Sequence, residues 1–209
     1  MMRQMKSLAC TLPTASHRRK PRPALPARLL VTDARRLPDP LPAIRRLDRG
    51  DGVLFRHYEL PHGERLALLR RVALLCRRHG LVLLVAGDAR LARAAAADGL
   101  HLPQAQIGRA RAAGRAGLQL LTMAAHDAGA VRRAARSGAD AVLISPVFAT
   151  ASHPEAAPLG VLRFAALAAG ARRQGLQVYA LGGMSPASFV RLRHLPLAGY
   201  AAIGALSSA

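Results

Sequence analysis

Gln177-Val178-Tyr179-Ala180-Leu181-Gly182-Gly183-Met184-Ser185-Pro186 carries the fold of this chain in miniature. A short apolar strand pattern runs into two glycines, then into a hydroxyl residue able to cap a helix and a proline suited to a first helical position. The same unit recurs on both sides. Apolar segments stand at Leu29 to Asp33, Val53 to Arg56, Leu81 to Val85, Gly99 to Leu102, Leu118 to Met123, Ala141 to Ser145 and Tyr200 to Ile203. Between them lie Arg/Ala-rich helical patterns, clearest over Glu64 to Arg78, Leu91 to Ala97, Ala128 to Arg136, Leu162 to Arg173 and Pro186 to Leu192. Strands alternating with helices predict a parallel sheet, and eight such units predict one α/β domain, a (β/α)8 TIM barrel over residues 28–209. In that architecture the chemistry sits where the strands end.

The 209 residues suit a single domain near the small end of the barrel range. Residues 1–27 carry His17-Arg18-Arg19-Lys20 and four prolines without apolar periodicity, which reads as a flexible, disordered basic tail or an over-extended start. The net charge of +20 is almost entirely arginine, since the lysines are Lys6 and Lys20. Aromatics are only 3% of the chain, and the arginines are spread over helices rather than clustered, so solvated helix faces explain them better than a specific nucleic-acid surface. Polyanion binding is the rival reading, and the positive field favours phosphorylated small molecules in either case. Cys10 and Cys76 stand in unrelated contexts and make no disulfide framework, which sets a reducing cytoplasm as the expected location. Ser7-Leu8-Ala9-Cys10 faintly resembles a lipoprotein cleavage box, but Met1 to Lys6 offers no apolar segment, and no membrane span is expected.

Glycines let a backbone approach a ligand closely, and loops after strands seven and eight are the usual phosphate site of such barrels, so Gly182-Gly183 and Gly204-Ala205 are the expected anion cradle. Arg56, His101 and His126 fall at other strand ends. Arginine can grip an anion in a fork, and a histidine can move protons in both directions near neutral pH, which makes His126 the expected acid/base. The hydroxyl-rich loop Ser145 to His153 suits a phosphate ester. No carboxylate or cysteine stands at ligand-like spacing from His101, His126 or His153, so zinc is the weaker reading and no metal is expected.

In order and spacing these segments resemble the thiamine phosphate synthase and TenI superfamily over about residues 29 to 206. The matching pieces are Leu30-Val31-Thr32-Asp33, Leu75 to Gly80, Ala97-Asp98-Gly99-Leu100-His101-Leu102, Gln104 and Ala125-His126. Gly138 to Val142, Pro146 to Thr150 and Leu181-Gly182-Gly183-Met184 complete the set. Substrate or phosphate binding is expected of Arg56, His101, Gln104, Thr150, Ser152, His153, Gly182, Gly183, Gly204 and Ala205, and the resemblance implies a thiazole-phosphate half made by Thr150, Ser152, the Gly182-Gly183 turn and the small residues after strand eight. Similar synthases join an aminopyrimidine diphosphate to that thiazole, with Mg2+ held by two aspartates. Here Gly87 stands at the first aspartate, with Asp88 reaching it only by a one-residue slip, and Gln106 stands at the second. Leu54 and Tyr58 replace a glutamine and a lysine flanking Arg56, Ala124 replaces a serine, and His153 replaces a lysine.

A metal stabilises a pyrophosphate leaving group by several kcal/mol, and about 1.4 kcal/mol is a tenfold change in rate, so these losses imply a diverged member with a degraded synthase half. The TenI branch isomerises a thiazole carboxylate phosphate tautomer without metal, using a histidine that aligns with His126. That reaction is the leading expectation. An active synthase that would need Mg2+, and a non-catalytic thiazole or thiamine phosphate-binding protein, are the alternatives.

Overall fold

The computed structural model describes residues 23–109, 118–150, 155, 157–203 and 206. Eight parallel strands close on themselves in chain order: β1 (Arg28–Val31), β2 (Gly52–Phe55), β3 (Val82–Ala86), β4 (Gly99–Leu102), β5 (Leu120–Ala125), β6 (Ala141–Ile144), β7 (Gln177–Leu181) and β8 (Gly199–Ala202). The seam is made by Arg28, Leu29 and Leu30 pairing with Tyr200, Ala201 and Ala202. All eight expected segments are strands. The fifth lies two residues later than expected, which leaves His126 immediately beyond its last residue.

The helices are α1 (Leu41–Arg45), α2 (His62–His79), α3 (Ala89–Ala94), α4 (Ala128–Arg136), α5 (Gly160–Arg173) and α6 (Pro186–Phe189), with 3-10 turns at Gln104–Arg109 and Val190–Leu192. The sequence does not announce α1, because prolines at 38, 40 and 42 mask it; a proline within the first turn breaks no intrahelical bond, and Leu41, Ala43 and Ile44 are buried. The long helix expected over Pro186 to Leu192 is instead one α-turn capped by Ser185 and one 3-10 turn.

Strand side chains alternate, and here both faces are apolar because both are covered. One parity points into the barrel: Leu29, Val31, Leu54, Leu84, Leu120, Leu143, Tyr179 and Ala201. The other packs under the helices: Leu30, Val53, Phe55, Val85, Val142 and Val178 meet Leu69, Val72, Cys76 and Phe164. Fully burying one such side chain contributes about 1.5–3 kcal/mol, so the two clusters are the bulk of the driving force. On α2 the arginines at 70, 71, 77 and 78 stay exposed, as solvated helix faces require.

The floor is closed by residues just before β1. The Tyr179 hydroxyl donates to the Pro26 carbonyl at 2.7 Å and the Tyr200 N–H to the Ala27 carbonyl at 3.1 Å. Arg28 forks onto Asp51 at 2.9 and 2.6 Å and also reaches Asp48. The packed chain therefore begins before the expected boundary at residue 27, while residues 1–22 of the expected tail lie outside the described residues.

Candidate active site

The inward parity continues past the strand ends and places the polar side chains. Arg56 and Tyr58 follow Leu54 by two and four residues, His101 follows Gly99, His126 follows Leu120, Thr122 and Ala124, and Ser145 follows Leu143. They converge on a cavity of about 550 Å³ at the C-terminal mouth, with Gln104, Thr150, Leu181, Gly182 and Ile203. The sequence-expected Arg56, His101, Gln104, His126, Thr150 and Gly182 thus share one cavity. Ser152, His153, Gly204 and Ala205 lie outside the described residues. A smaller space of about 160 Å³ between α2 and β3 is lined by Cys76 and Asp98, but the Asp98 carboxylate is engaged by the Leu83 N–H at 2.8 Å.

His126 is exposed, and its Nδ1 lies 2.7 Å from the Ser145 carbonyl. A carbonyl only accepts, so the proton sits on Nδ1 and the lone pair of the neutral ring is on Nε2. Its backbone N–H donates to Gln104 Oε1 at 2.9 Å, and Gln104 Nε2 donates to Asp127 Oδ2 at 3.0 Å. Asp127 in turn caps α4 by accepting from the Ala130 N–H at 2.7 Å. That bond, the largest influence, holds the Asp127 carboxyl below the usual carboxylate range; burial opposes it, and the Gln104 amide adds to it. Gln104, expected to bind substrate, therefore also works as a strut between the β4 and β5 loops.

His101 has a different environment. It is 6% exposed, with Nδ1 3.0 Å from Thr122 Oγ1. Burial, then the nearby Arg56 charge, pulls its pKa down to about 3. It is neutral at working pH and suited to hydrogen bonding rather than proton transfer.

Gly182 and Gly183 have φ of +90° and +63°. A Cβ on Gly182 would lie 2.7 Å from Pro146 Cα, and one on Gly183 2.5 Å from the Ala149 carbonyl oxygen. The loop after β6 is laid onto this turn by Val147 N–H to Leu181 O at 2.9 Å and Phe148 N–H to Gly182 O at 3.1 Å. Both glycines are required by this packing before any ligand is considered.

At the β2–β3 side, features invisible in the sequence appear. Arg65, on α2, is only 8% exposed; its Nε donates to the Arg56 carbonyl at 3.0 Å and Nη2 to the Ala86 carbonyl at 2.7 Å. Burial lowers its pKa. Its Cζ lies 5.1 Å from the Tyr58 ring centroid, and Arg56 Cζ lies 5.6 Å from the same ring. His57 is buried and stacked on Phe55 at 5.0 Å. Thr32 Oγ1 accepts from the Arg56 N–H at 3.1 Å, and because the Pro38 carbonyl facing His57 Nε2 can only accept, Nδ1 of the neutral ring is the acceptor of the Thr32 hydroxyl at 2.8 Å. Burial lowers the His57 pKa, in keeping with a neutral ring whose Nε2–H faces the Pro38 carbonyl at 3.4 Å. The helical repeat puts Arg65 on the buried stripe with Leu69, Val72 and Cys76, but nothing local names the carbonyls it meets there.

The two positions where the resemblance implies Mg2+ ligands do meet in space. A Cβ on Gly87 would lie 3.7 Å from Gln106 Oε1, but also 3.0 Å from Cε1 of Tyr58, whose ring covers the spot. Asp88 caps α3, its Oδ1 accepting from the N–H groups of Arg90 at 2.8 Å and Leu91 at 3.0 Å. A glycine, one amide oxygen and an aromatic edge do not fit a hard divalent cation that is normally bound through carboxylates.

Comparison with known proteins agrees with this geometry. The family described as thiamine monophosphate synthase matches residues 30–206. The chain is 30% identical over 179 residues to the thiamine-phosphate synthase of Bacillus velezensis, covering 82% of this chain and 78% of that one. It is 36% identical over 161 residues to the thiamine biosynthesis bifunctional protein ThiM/ThiE of Symbiobacterium thermophilum, covering 75% of this chain and 32% of that one. Its fold is similar to the solved thiamine phosphate pyrophosphorylase of Pyrococcus furiosus, with a TM-score of 0.74, 20% identity and 90% of each chain covered. No helix among the described residues is long and apolar enough to cross a membrane. With the fold, the strand-end cavity and a family match across nearly the whole barrel in agreement, the chain belongs to the thiamine monophosphate synthase and TenI family of thiamine biosynthesis.

Proposed function

We propose that this chain is a TenI-like isomerase that aromatises a thiazole carboxylate phosphate tautomer by metal-independent proton transfer. The observation that carries this reading is the His126 ring, which lines the cavity with Nδ1–H held by the Ser145 carbonyl, so that Nε2 is the basic atom. Nε2 takes a proton from one carbon of the non-aromatic tautomer and the imidazolium returns one at another position of the conjugated system. The product is an isomer of the substrate. No leaving group forms, so no metal is needed to stabilise one. The phosphate is held at the Gly182-Gly183 turn after β7. The donor set at Gly87, Asp88 and Gln106 supports a member that does not use Mg2+.

A second reading follows from the names of the relatives: a synthase joining an aminopyrimidine diphosphate to thiazole phosphate. The deciding experiment supplies each substrate to the purified protein with and without a chelator. Chelator-insensitive isomerisation, followed by proton NMR and lost in His126→Ala, is the expected result. Mg2+-dependent pyrophosphate release would establish the synthase instead, and binding without turnover of either substrate would leave a binding protein.

A further inference from the structure

Arg56 is the one arginine among the described residues lining the cavity, and its main chain is fixed on both sides. Its N–H is bound by Thr32 and its carbonyl by Arg65, and its guanidinium lies over the Tyr58 ring that Arg65 also faces. Two guanidinium groups drawn to one ring repel each other. Among the described residues neither forms a salt bridge, the charges of Asp88 and Glu59 acting on Arg65 only at longer range. Hydrogen bonds to main-chain carbonyls, the ring contacts and those two charges offset the desolvation of Arg65, which stands behind the cavity wall. His101, uncharged and lining the same cavity, adds a polar group without adding a counter-ion. Arg56 thus faces the cavity with its backbone fixed and, among the described residues, no carboxylate hydrogen-bonded to its guanidinium.

Its position tells which anion it suits. In a closed barrel of eight strands in chain order, β2 to β4 face β6 to β8 across the mouth. Arg56 and His101 therefore stand opposite the Gly182 turn, and His126, just past β5, lies between the two walls with Ser145 beside it at the end of β6. A ligand spanning the cavity carries one anionic group at each end and its reacting carbons in the middle.

We propose that Arg56, pre-set by Tyr58 and Arg65, is the receptor for the carboxylate of a carboxylated thiazole phosphate, opposite the phosphate end. This rests on the proposed isomerase reading and deepens it, since it explains how a carboxylated ligand is told from its decarboxylated counterpart. A planar guanidinium matches a carboxylate with two parallel hydrogen bonds, which lysine cannot reproduce.

The test is calorimetric titration of the wild type, Arg56→Met and Arg56→Lys with two stable probes, the aromatic carboxythiazole phosphate and the same thiazole phosphate lacking the carboxylate. The wild type is expected to prefer the carboxylated probe by about 10- to 100-fold. Arg56→Met erases that preference while leaving affinity for the decarboxylated probe nearly unchanged, and Arg56→Lys restores part of it. Tyr58→Leu, which removes the ring but keeps the charge, gives an intermediate preference and covers the case in which Arg56→Met fails to fold. Absence of a preference in the wild type, or a preference untouched in Arg56→Met, overturns the inference. Isomerisation by a wild type without preference would sink this subsite alone. A preference that depends on Arg56 in a protein without turnover would sustain the subsite and sink the proposed reaction.

Discussion

The β6 to β8 half of the barrel mouth is closed by main chain, whereas the β2 to β4 half is closed by side chains. On the first side the loop after β6 lies so close to Gly182 and Gly183 that no Cβ fits between them. On the second, Tyr58 covers Gly87 while Arg65, His57 and Thr32 fix the backbone that carries Arg56. The first surface tolerates almost no substitution and presents polar backbone. The second can be rebuilt residue by residue, and four of the positions where the sequence departs from the expected synthase pattern, Leu54, Tyr58, Gly87 and Gln106, fall there. A barrel mouth divided in this way can hold one end constant and exchange what the other end presents. His126 sits at the seam, tied through Gln104 to the α4 cap on one side and through Ser145 to β6 on the other.

The comparison breaks most visibly at that seam. General acid/base catalysis contributes about 100- to 10,000-fold, so His126→Ala is expected to lower isomerisation by that order with the melting temperature nearly unchanged. A variant that melts earlier yet keeps full specific activity would make His126 a structural residue.

The main-chain half is tested by Gly183→Ala. Its φ of +63° disfavours any side chain, and the new Cβ meets the Ala149 carbonyl oxygen at 2.5 Å. Together these cost about 3 kcal/mol. Chemical denaturation reads this directly, and a stable variant would mean that the loop after β6 can lift away. Any substitution here changes packing before it changes phosphate affinity.

The side-chain half carries a pH signature. His101 titrates at about 3 in the fold against 6.5 for the ordinary side chain, so the unfolded chain binds an extra proton between those values. Its contribution is whole above pH ~6.5 and is lost as pH falls toward 3; between pH 7 and 5 it amounts to about 2 kcal/mol. The lowered His57 acts in the same direction. Urea midpoints at the two pH values are expected to fall less in His101→Gln than in the wild type, and identical slopes would contradict the burial of His101. The smallest effect belongs to the cap beside the seam: Asp127→Ala removes the acceptor for the Ala130 N–H and costs about 1 kcal/mol.

By itself the sequence determined the barrel, the strand ends and the place of His126 just past the fifth of them. These are local properties: a short apolar run stopped by glycine or a polar residue, a helical repeat between runs, and a period of two that carries one parity into the mouth. It also marked Gly182 and Gly183, because a backbone with positive φ restricts the residue at its own position. Only the tertiary structure decided what Arg65 meets: the helical repeat sets it on the stripe of Leu69, Val72 and Cys76, but its partners, the Arg56 and Ala86 carbonyls, come from the ends of two strands. The same holds for the two strand-end histidines. His101 is neutral because burial and then the charge of Arg56 disfavour its cation, with Thr122, 21 residues away, bonded to its ring, while His126 is oriented by Ser145, 19 residues away. Tyr58 over Gly87 belongs to the same class. Burial, protonation and contact depend on which distant segments pack together, and no local pattern encodes that.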